Sequence, residues 1–223
     1  MALQLLKNVS FFKQLPSAEL TRILRISKSQ SFAAGELIIS RQDSGRHFFI
    51  VLSGHVKIFI ASAARKRKTF AMLQKGAFFG EMSLLDGKVR SASAQAMEPT
   101  TLLLIRKRDF KRLLFKDPRL MYKILKTLSD RLRVANEEVE ALLFKNLMGR
   151  TVHTLLELLD RKNKIAQSAF IPMKLTHQDL ADLVGTTREP MTRAVSMLRK
   201  IGVLEYRNKT IHLKDISRLK ALA

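Results

Sequence analysis

The hydrophobic period of the chain changes once, near Asp109, and that change limits the fold to a β-rich part followed by a helical part. From about residue 30 to 106 the apolar residues come in short runs with a period of two: ELIISR, HFFIVLSGHVKIFIA, KTFAML and TTLLLIR. These runs are β-branched and aromatic, and they are bounded by Gly, Ser or charged turns. Six of the nine glycines (Gly35, Gly45, Gly54, Gly76, Gly80 and Gly87) fall in this stretch, as tight strand connections require. The spacing predicts a small barrel or jelly-roll-like β-roll. Ahead of it, VSFFKQLPSAELTRILRIS reads as a helical leader, with Ser17 capping a helix that starts near Ala18.

After Asp109 the period is helical. Met121, Leu125, Leu128, Leu132, Ala135, Val139 and Leu142 recur at alternating steps of 4 and 3, an a/d seam of three heptads. With Glu137, Glu138 and Glu140 off the seam, the pattern predicts a long helix pairing in parallel with a second copy. The alternative is a helix lying against its own β-roll. Asn146 and Gly149 interrupt the run as a hinge. A helical stretch RTVHTLLELLD then leads into a polar loop, RKNKIAQSAF.

LTHQDLADLVGTTREPMTRAVSMLRKIGVLEY, residues 175–206, has the most specific local pattern. Thr176 and Asp179 form a capping-box pair, Leu180, Ala181 and Val184 are apolar, and Gly185 ends the first helix. Thr186 or Thr187 can cap the second, where Pro190 sits in the first turn. Met191, Ala194, Val195 and Leu198 face inward, leaving Arg188, Glu189, Thr192 and Arg193 outside. A helix, a Gly-containing turn and a second helix with a polar outer N-terminus make a helix-turn-helix that reads DNA. Arg can pair with guanine O6 and N7, and Glu can accept from cytosine N4. GVLEYRNKTIHL then alternates around Arg207-Asn208-Lys209 as a two-stranded wing.

The charge balance agrees. The 223 residues hold 41 Lys and Arg against 19 acids, a net charge of +22, which favours a polyanionic partner. The surplus is spread, 27 cations against 12 acids through residue 145 and 14 against 7 beyond, so charge alone does not locate the contact. The absence of cysteine excludes disulfides and thiolate metal sites; His47 and His55 have no paired ligand, so no metal site is expected. No signal peptide or membrane span is legible, and a cytoplasmic protein with no membrane partner is the expectation. Paired catalytic carboxylates, triads and metal clusters are lacking, so no enzyme is expected. Arg65-Lys66-Arg67-Lys68 reads as a solvated hairpin tip or an anion contact.

In GEMSLLDGKVRSASA, residues 80–94, Glu81 and Arg90 stand among small, apolar and turn-forming residues. An arginine fork can hold a phosphate, with Ser91 and the backbone N–H groups of a Gly-led turn adding donors. Glu81 beside a phosphate is favourable only if it accepts from a sugar hydroxyl. Phosphate plus ribose means a nucleotide. The alternative is an internal Glu81–Arg90 salt bridge.

FGEMSLLDGKVRSASAQA resembles the phosphate-binding cassette of cyclic-nucleotide-binding domains. Together with the Arg188, Glu189 and Arg193 helix, it makes nearly the whole chain similar to the CRP/FNR family of bacterial transcription regulators. The resemblance implies an α+β protein with three parts: a β-roll sensor domain over 1–115, a dimerisation helix and hinge over 116–146, and a winged helix-turn-helix over 147–223. It implies that Glu81, Arg90 and Ser91 hold the ribose and cyclic phosphate, with Arg131 of the long helix on the phosphate side; Gly80, Met82, Ser83 and Ala92 complete the candidate ligand site, and Asn136 of the long helix can offer its carboxamide to a purine edge. It implies base contacts from Arg188, Glu189 and Arg193; Thr176, Thr187, Thr192 and, at the wing, Lys209 complete the candidate DNA surface, and His177, at the start of the first helix, reads either as a donor to a phosphate or as a plain surface histidine. It also implies a homodimer on palindromic double-stranded DNA with GTGA-like half-sites, RNA polymerase as a partner, and cAMP or cGMP as allosteric ligand. One place departs from the family: its cAMP-responsive activators carry Thr then Ser where this chain has Ala135 and Asn136. A cyclic dinucleotide effector, or a ligand-independent regulator with a vestigial pocket, therefore stays open.

Overall fold

A computed structural model describes residues 6–7, 9, 11–12, 15–62, 66–159 and 168–222. It divides into two compact units, residues 1–60 with 70–130 and residues 61–69 with 131–223. Antiparallel β-sheets, a long helix and a C-terminal helix-turn-helix follow one another along the chain.

In the first unit, helix α1 (Ser17–Ile26) is capped at Pro16, whose carbonyl accepts from the Leu20 N–H at 3.1 Å. Ser17 is therefore the first helical residue and not the cap, because the extended backbone of Pro16 already occupies that position. Strands β1 (Ser27–Phe32), β2 (Leu37–Ile39), β3 (His47–Ser53), β4 (Val56–Ala61), β5 (Arg67–Leu73) and β6 (Phe78–Phe79) follow. After a four-residue helix α2 (Met82–Leu85) come β7 (Ser93–Ala96), β8 (Thr100–Arg106) and helix α3 (Lys107–Lys116). The strands form two four-stranded sheets, β1-β8-β3-β6 and β2-β7-β4-β5.

Strands β3 and β8 depart from strict alternation because both their faces are covered. Phe48, Ile50, Leu103 and Ile105 join a core with Leu20, Ile23 and Phe110 of the helices. Phe49, Val51, Leu102 and Leu104 join a second core with Val56, Ala94 and Ala96 of the other sheet. Phe48 stacks on Phe110 with centroids 4.3 Å apart, and Phe49 stacks on Phe79 at 4.8 Å. At the β3–β4 turn Gly54 holds φ +81°, and a Cβ there would stand 2.4 Å from Thr100 Oγ1 and 2.8 Å from the Pro99 carbonyl oxygen. Gly54→Ala should cost about 2–4 kcal/mol of stability through strain and overpacking, read as a lower urea midpoint at unchanged slope.

Helix α4 (Pro118–Phe144) is 27 residues long. Leu120 and Ile124 are buried in the first core, and Leu128 packs against it. The heptad seam lies elsewhere on the helix: Leu125 is 58% exposed, Leu132 63%, Val139 56% and Leu142 51%. Packing against the home unit thus uses one face, and the predicted pairing seam remains open apart from Leu128.

In the second unit, Asn146 caps helix α5 (Leu147–Glu157) by accepting from the Gly149 N–H at 2.9 Å. The interruption read as a hinge is a clean break between two helices. Strand β9 (Ala169–Phe170), helices α6 (His177–Val184) and α7 (Arg188–Lys200), strands β10 (Leu204–Arg207) and β11 (Thr210–Leu213), and helix α8 (Ile216–Lys220) complete it. The wing has three strands and not two, in the order β10-β11-β9. Ala169 is buried and pairs with Leu213, so the end of the stretch read as a polar loop is a sheet edge; residues 160–167 of that loop lie outside the described residues. Asn208 and Lys209 turn the β10–β11 hairpin with φ of 50° and 63°, the signature of a two-residue I′-type turn. Arg65 of the basic run is outside the described residues, and Lys68 pairs with Glu138 at 3.3 Å, so this lysine is not simply solvated.

Candidate functional sites

The chain enters the first site from β6. Gly80 takes φ +81°, which turns it sharply into Glu81 at the head of α2. A side chain at Gly80 would collide with the arginine beyond: its Cβ would lie 2.8 Å from Arg90 Nη1 and 3.2 Å from the His47 carbonyl oxygen. Gly45 is equally constrained, since a Cβ there would be 2.3 Å from Ser83 Oγ. Glycine at both positions lets backbone and guanidinium close on each other.

Arg90 is 4% exposed and Glu81 1%. The Arg90 Nη1 donates to the Gly80 carbonyl at 2.6 Å and to Ser83 Oγ at 2.9 Å, and Nη2 donates to the His47 carbonyl at 2.7 Å. Its backbone is fixed by Arg90 N–H to the Asp43 carbonyl at 2.9 Å and Gln42 N–H to the Arg90 carbonyl at 3.0 Å. The guanidinium carbon sits 5.6 Å from the Phe49 ring centroid. Burial lowers the Arg90 pKa, while the fields of Glu81 and Asp43 oppose that shift and hold the charge in place. Nε is buried without a hydrogen-bond partner among the described residues. Burial, then Arg90, Arg106 and Arg46, lower the pKa of His47.

Arg90 lies on irregular backbone next to an isolated bridge between Ser44 and Val89. Met82 and Ser91 form the exposed rim, with Ser91 Oγ 3.7 Å from the Met82 sulfur, and Ala92 is half-buried beside them. The structure therefore brings together Gly80, Glu81, Met82, Ser83, Arg90, Ser91 and Ala92. Arg131 and Asn136 stand on α4, Asn136 exposed and followed by three glutamates. Sequence reasoning missed Asp43, Gly45 and the His47 carbonyl. They come from a segment some 40 residues upstream, and two of the three act through backbone atoms that no side-chain pattern reveals.

The second site is the helix-turn-helix. Thr176 Oγ1 accepts from the Asp179 N–H at 3.1 Å, and the Asp179 carboxylate accepts from the Thr176 N–H at 3.0 Å, completing the predicted capping box. Gly185 ends α6 in the left-handed region at φ 79°. Met191, Ala194, Val195 and Leu198 of α7 are buried, and Thr187, Arg188, Glu189 and Arg193 are exposed on its outer face. Thr187 takes the N-cap position without a side-chain hydrogen bond, so its hydroxyl is not tied to the helix start. Lys209 projects at the wing turn, and its carbonyl accepts from Leu175 N–H at 2.8 Å. His177 and Thr192 meet each other, with Nδ1 2.9 Å from Oγ1. Among the described residues no cluster of three or more His, Cys, Asp or Glu is placed to hold a metal, and no helix is long and apolar enough to cross a membrane.

Comparison with known proteins matches the regions that carry both sites. The family model "Cyclic nucleotide-binding domain" covers residues 29–117, and "Crp-like helix-turn-helix domain" covers 149–222. The Cyclic AMP receptor protein of Thermus thermophilus is 31% identical over 218 residues, 98% of either chain. Among solved structures, the c-di-GMP responsive global regulator CLP of Xanthomonas campestris is 26% identical with TM-score 0.75, covering 89% of this chain and 99% of its own. FixK2 of Bradyrhizobium japonicum shares the fold at TM-score 0.78 and 24% identity, over 88% and 97% of the two chains. A cyclic-nucleotide-binding β-roll and a Crp-like reading head, in this order and over almost the full length, place the chain in the CRP/FNR family of transcription regulators.

Proposed function

We propose that this regulator works as a homodimer whose grip on palindromic DNA is gated by a cyclic mononucleotide, cAMP or cGMP, in the pocket of Glu81 and Arg90. The observation that carries the reading is the buried guanidinium beside a buried carboxylate. Arg90 keeps one donor, Nε, without a protein acceptor, and a phosphodiester oxygen is a suitable acceptor for it. Glu81 supplies the acceptor for a ribose hydroxyl. Arg131 and Asn136 are further candidate ligand residues, Asn136 offering a carboxamide to a purine edge. The exposed α4 seam supports the homodimer, and the polar face of Thr187, Arg188, Glu189 and Arg193, with Thr176 and Lys209 on phosphates, supports reading of GTGA-like half-sites one DNA turn apart. Double-stranded DNA in the cytoplasm, with RNA polymerase beside it, completes the reading.

Thermal unfolding against cAMP, cGMP and c-di-GMP tests the effector, since selective binding to the folded chain raises its midpoint. Selection from random duplexes tests the half-site. Arg188→Ala should weaken binding to the selected site by about 1–3 kcal/mol and relax a single base position.

One observation favours a second reading, a ligand-independent regulator. Both terminal nitrogens of Arg90 already have protein acceptors, so the arginine holds its own loop together without a nucleotide. No midpoint shift with any of the three nucleotides, alongside undiminished DNA binding, would favour that alternative.

A further inference from the structure

The imidazole of His177 stands where the start of α6, the first turns of α7 and strand β10 converge. Thr192 Oγ1 donates to the Arg188 carbonyl one turn back at 2.9 Å. A hydroxyl has one proton, so its 2.9 Å contact with His177 Nδ1 must run the other way, with the imidazole donating from Nδ1. The ring packs on Tyr206 with centroids 4.7 Å apart, and the Tyr206 hydroxyl donates to the Leu175 carbonyl at 2.9 Å. One histidine thereby ties together the entry to α6, the reading helix and the wing sheet.

We propose that His177 is a positioning residue of the reading head, holding the first turn of α7 through Thr192 and so setting the pose of Arg188 and Glu189 on the bases. This differs from a phosphate contact, one of the two roles read from sequence. With its Nδ1 proton on Thr192, the ring keeps only a lone pair at Nε2, which cannot donate to a phosphate. Nε2 is buried without a hydrogen-bond partner among the described residues, a place that tolerates a lone pair better than an N–H. The charged and titratable groups around the ring agree. Arg188 and Arg199 of α7 disfavour a second proton, Asp179 is engaged in its own capping box, and burial followed by Asp179 raises the pKa of Tyr206. Burial first, then Arg188 and Arg199, lower the His177 pKa from its usual 6.5.

The sign of the pH dependence follows. A folded pKa below the unfolded one means the unfolded chain takes up the proton first. The stabilisation is complete above about 6.5 and is lost as pH falls through the lower folded value. His47 contributes with the same sign.

The test uses the full chain and the palindrome that selection returns for it, and rests on the DNA-reading role proposed above. His177→Phe keeps an aromatic ring against Tyr206 but removes the donor. It should lose about tenfold in affinity and lose discrimination at the Arg188 base, with the salt dependence of binding unchanged. His177→Asn, whose amide nitrogen sits near the Nδ1 position, should recover most of both and lose less stability than the native chain below pH 6.5. A phosphate contact gives the reverse pattern, weaker binding to every duplex alike with discrimination at the Arg188 base intact, and would overturn the proposal. The ¹⁵N spectrum of the free chain decides independently of DNA: a proton on Nδ1 at neutral pH is expected, and a proton on Nε2 would overturn the clamp. If the native chain selects no sequence at all, the DNA-reading role fails while the imidazole spectrum still decides the clamp.

Discussion

Arg90→Leu is expected to abolish nucleotide-dependent thermal stabilisation and to lower the free energy of unfolding by about 3–5 kcal/mol, because it removes both the group proposed to hold the phosphate and the partner of buried acceptors. Leucine cannot satisfy the carbonyls of Gly80 and His47 or the Ser83 hydroxyl, all of which now receive from the guanidinium. It also leaves Glu81, 1% exposed, without the positive field of Arg90. Calorimetric titration with nucleotide and a urea transition read the two losses separately. Nucleotide affinity unchanged in a folded Arg90→Leu chain would place the effector elsewhere.

The second large effect concerns the α4 seam. Leu132 and Val139 are exposed, at 63% and 56%, and stand one heptad apart. Leu132→Glu with Val139→Glu should leave each chain folded, since neither side chain belongs to either core of the first unit. Across a parallel pair, however, like charges would face each other at two layers, on either side of the Ala135 layer. Light scattering should then report a monomer. Affinity for the palindrome should fall by about 10²–10⁴, because the second half-site is no longer bound intramolecularly. A dimer that survives both substitutions would show that the copies pair through another surface.

Much of this architecture can be read from residues in sequence order, and the exceptions share a cause. The capping box of Thr176 and Asp179, the Gly185 break and the inward stripe of Met191, Ala194, Val195 and Leu198 are local, and each is found where its spacing puts it. Leu120, Ile124 and Leu128 pack on the home core while their neighbours Met121 and Leu125 do not. Two overlapping helical periods in one segment mask each other, and only the heptad was legible. Strands β3 and β8 carry apolar residues on both faces because helices cover one side and a sheet the other, a tertiary fact that alternation cannot encode. Strand β9 is two residues long and exists only through its pairing with β11.

The cassette was legible as a motif, whereas the posture of its arginine was not. Nothing in GEMSLLDGKVRSASA indicates that a carbonyl from His47 and a bare position at Gly45 complete the enclosure. Likewise, nothing next to His177 in sequence order indicates that Thr192 and Tyr206 stand against its ring.

Gly45 and Gly80 let Ser83 and Arg90 pack against bare backbone, and any substitution there drives carbon into Ser83 or Arg90. Evolutionary drift in effector preference therefore has little room at the floor. On the reading proposed above, a change of signal has its freedom at the exposed rim, at Met82, Ser91 and Ala92, and on α4 at Ala135 and Asn136.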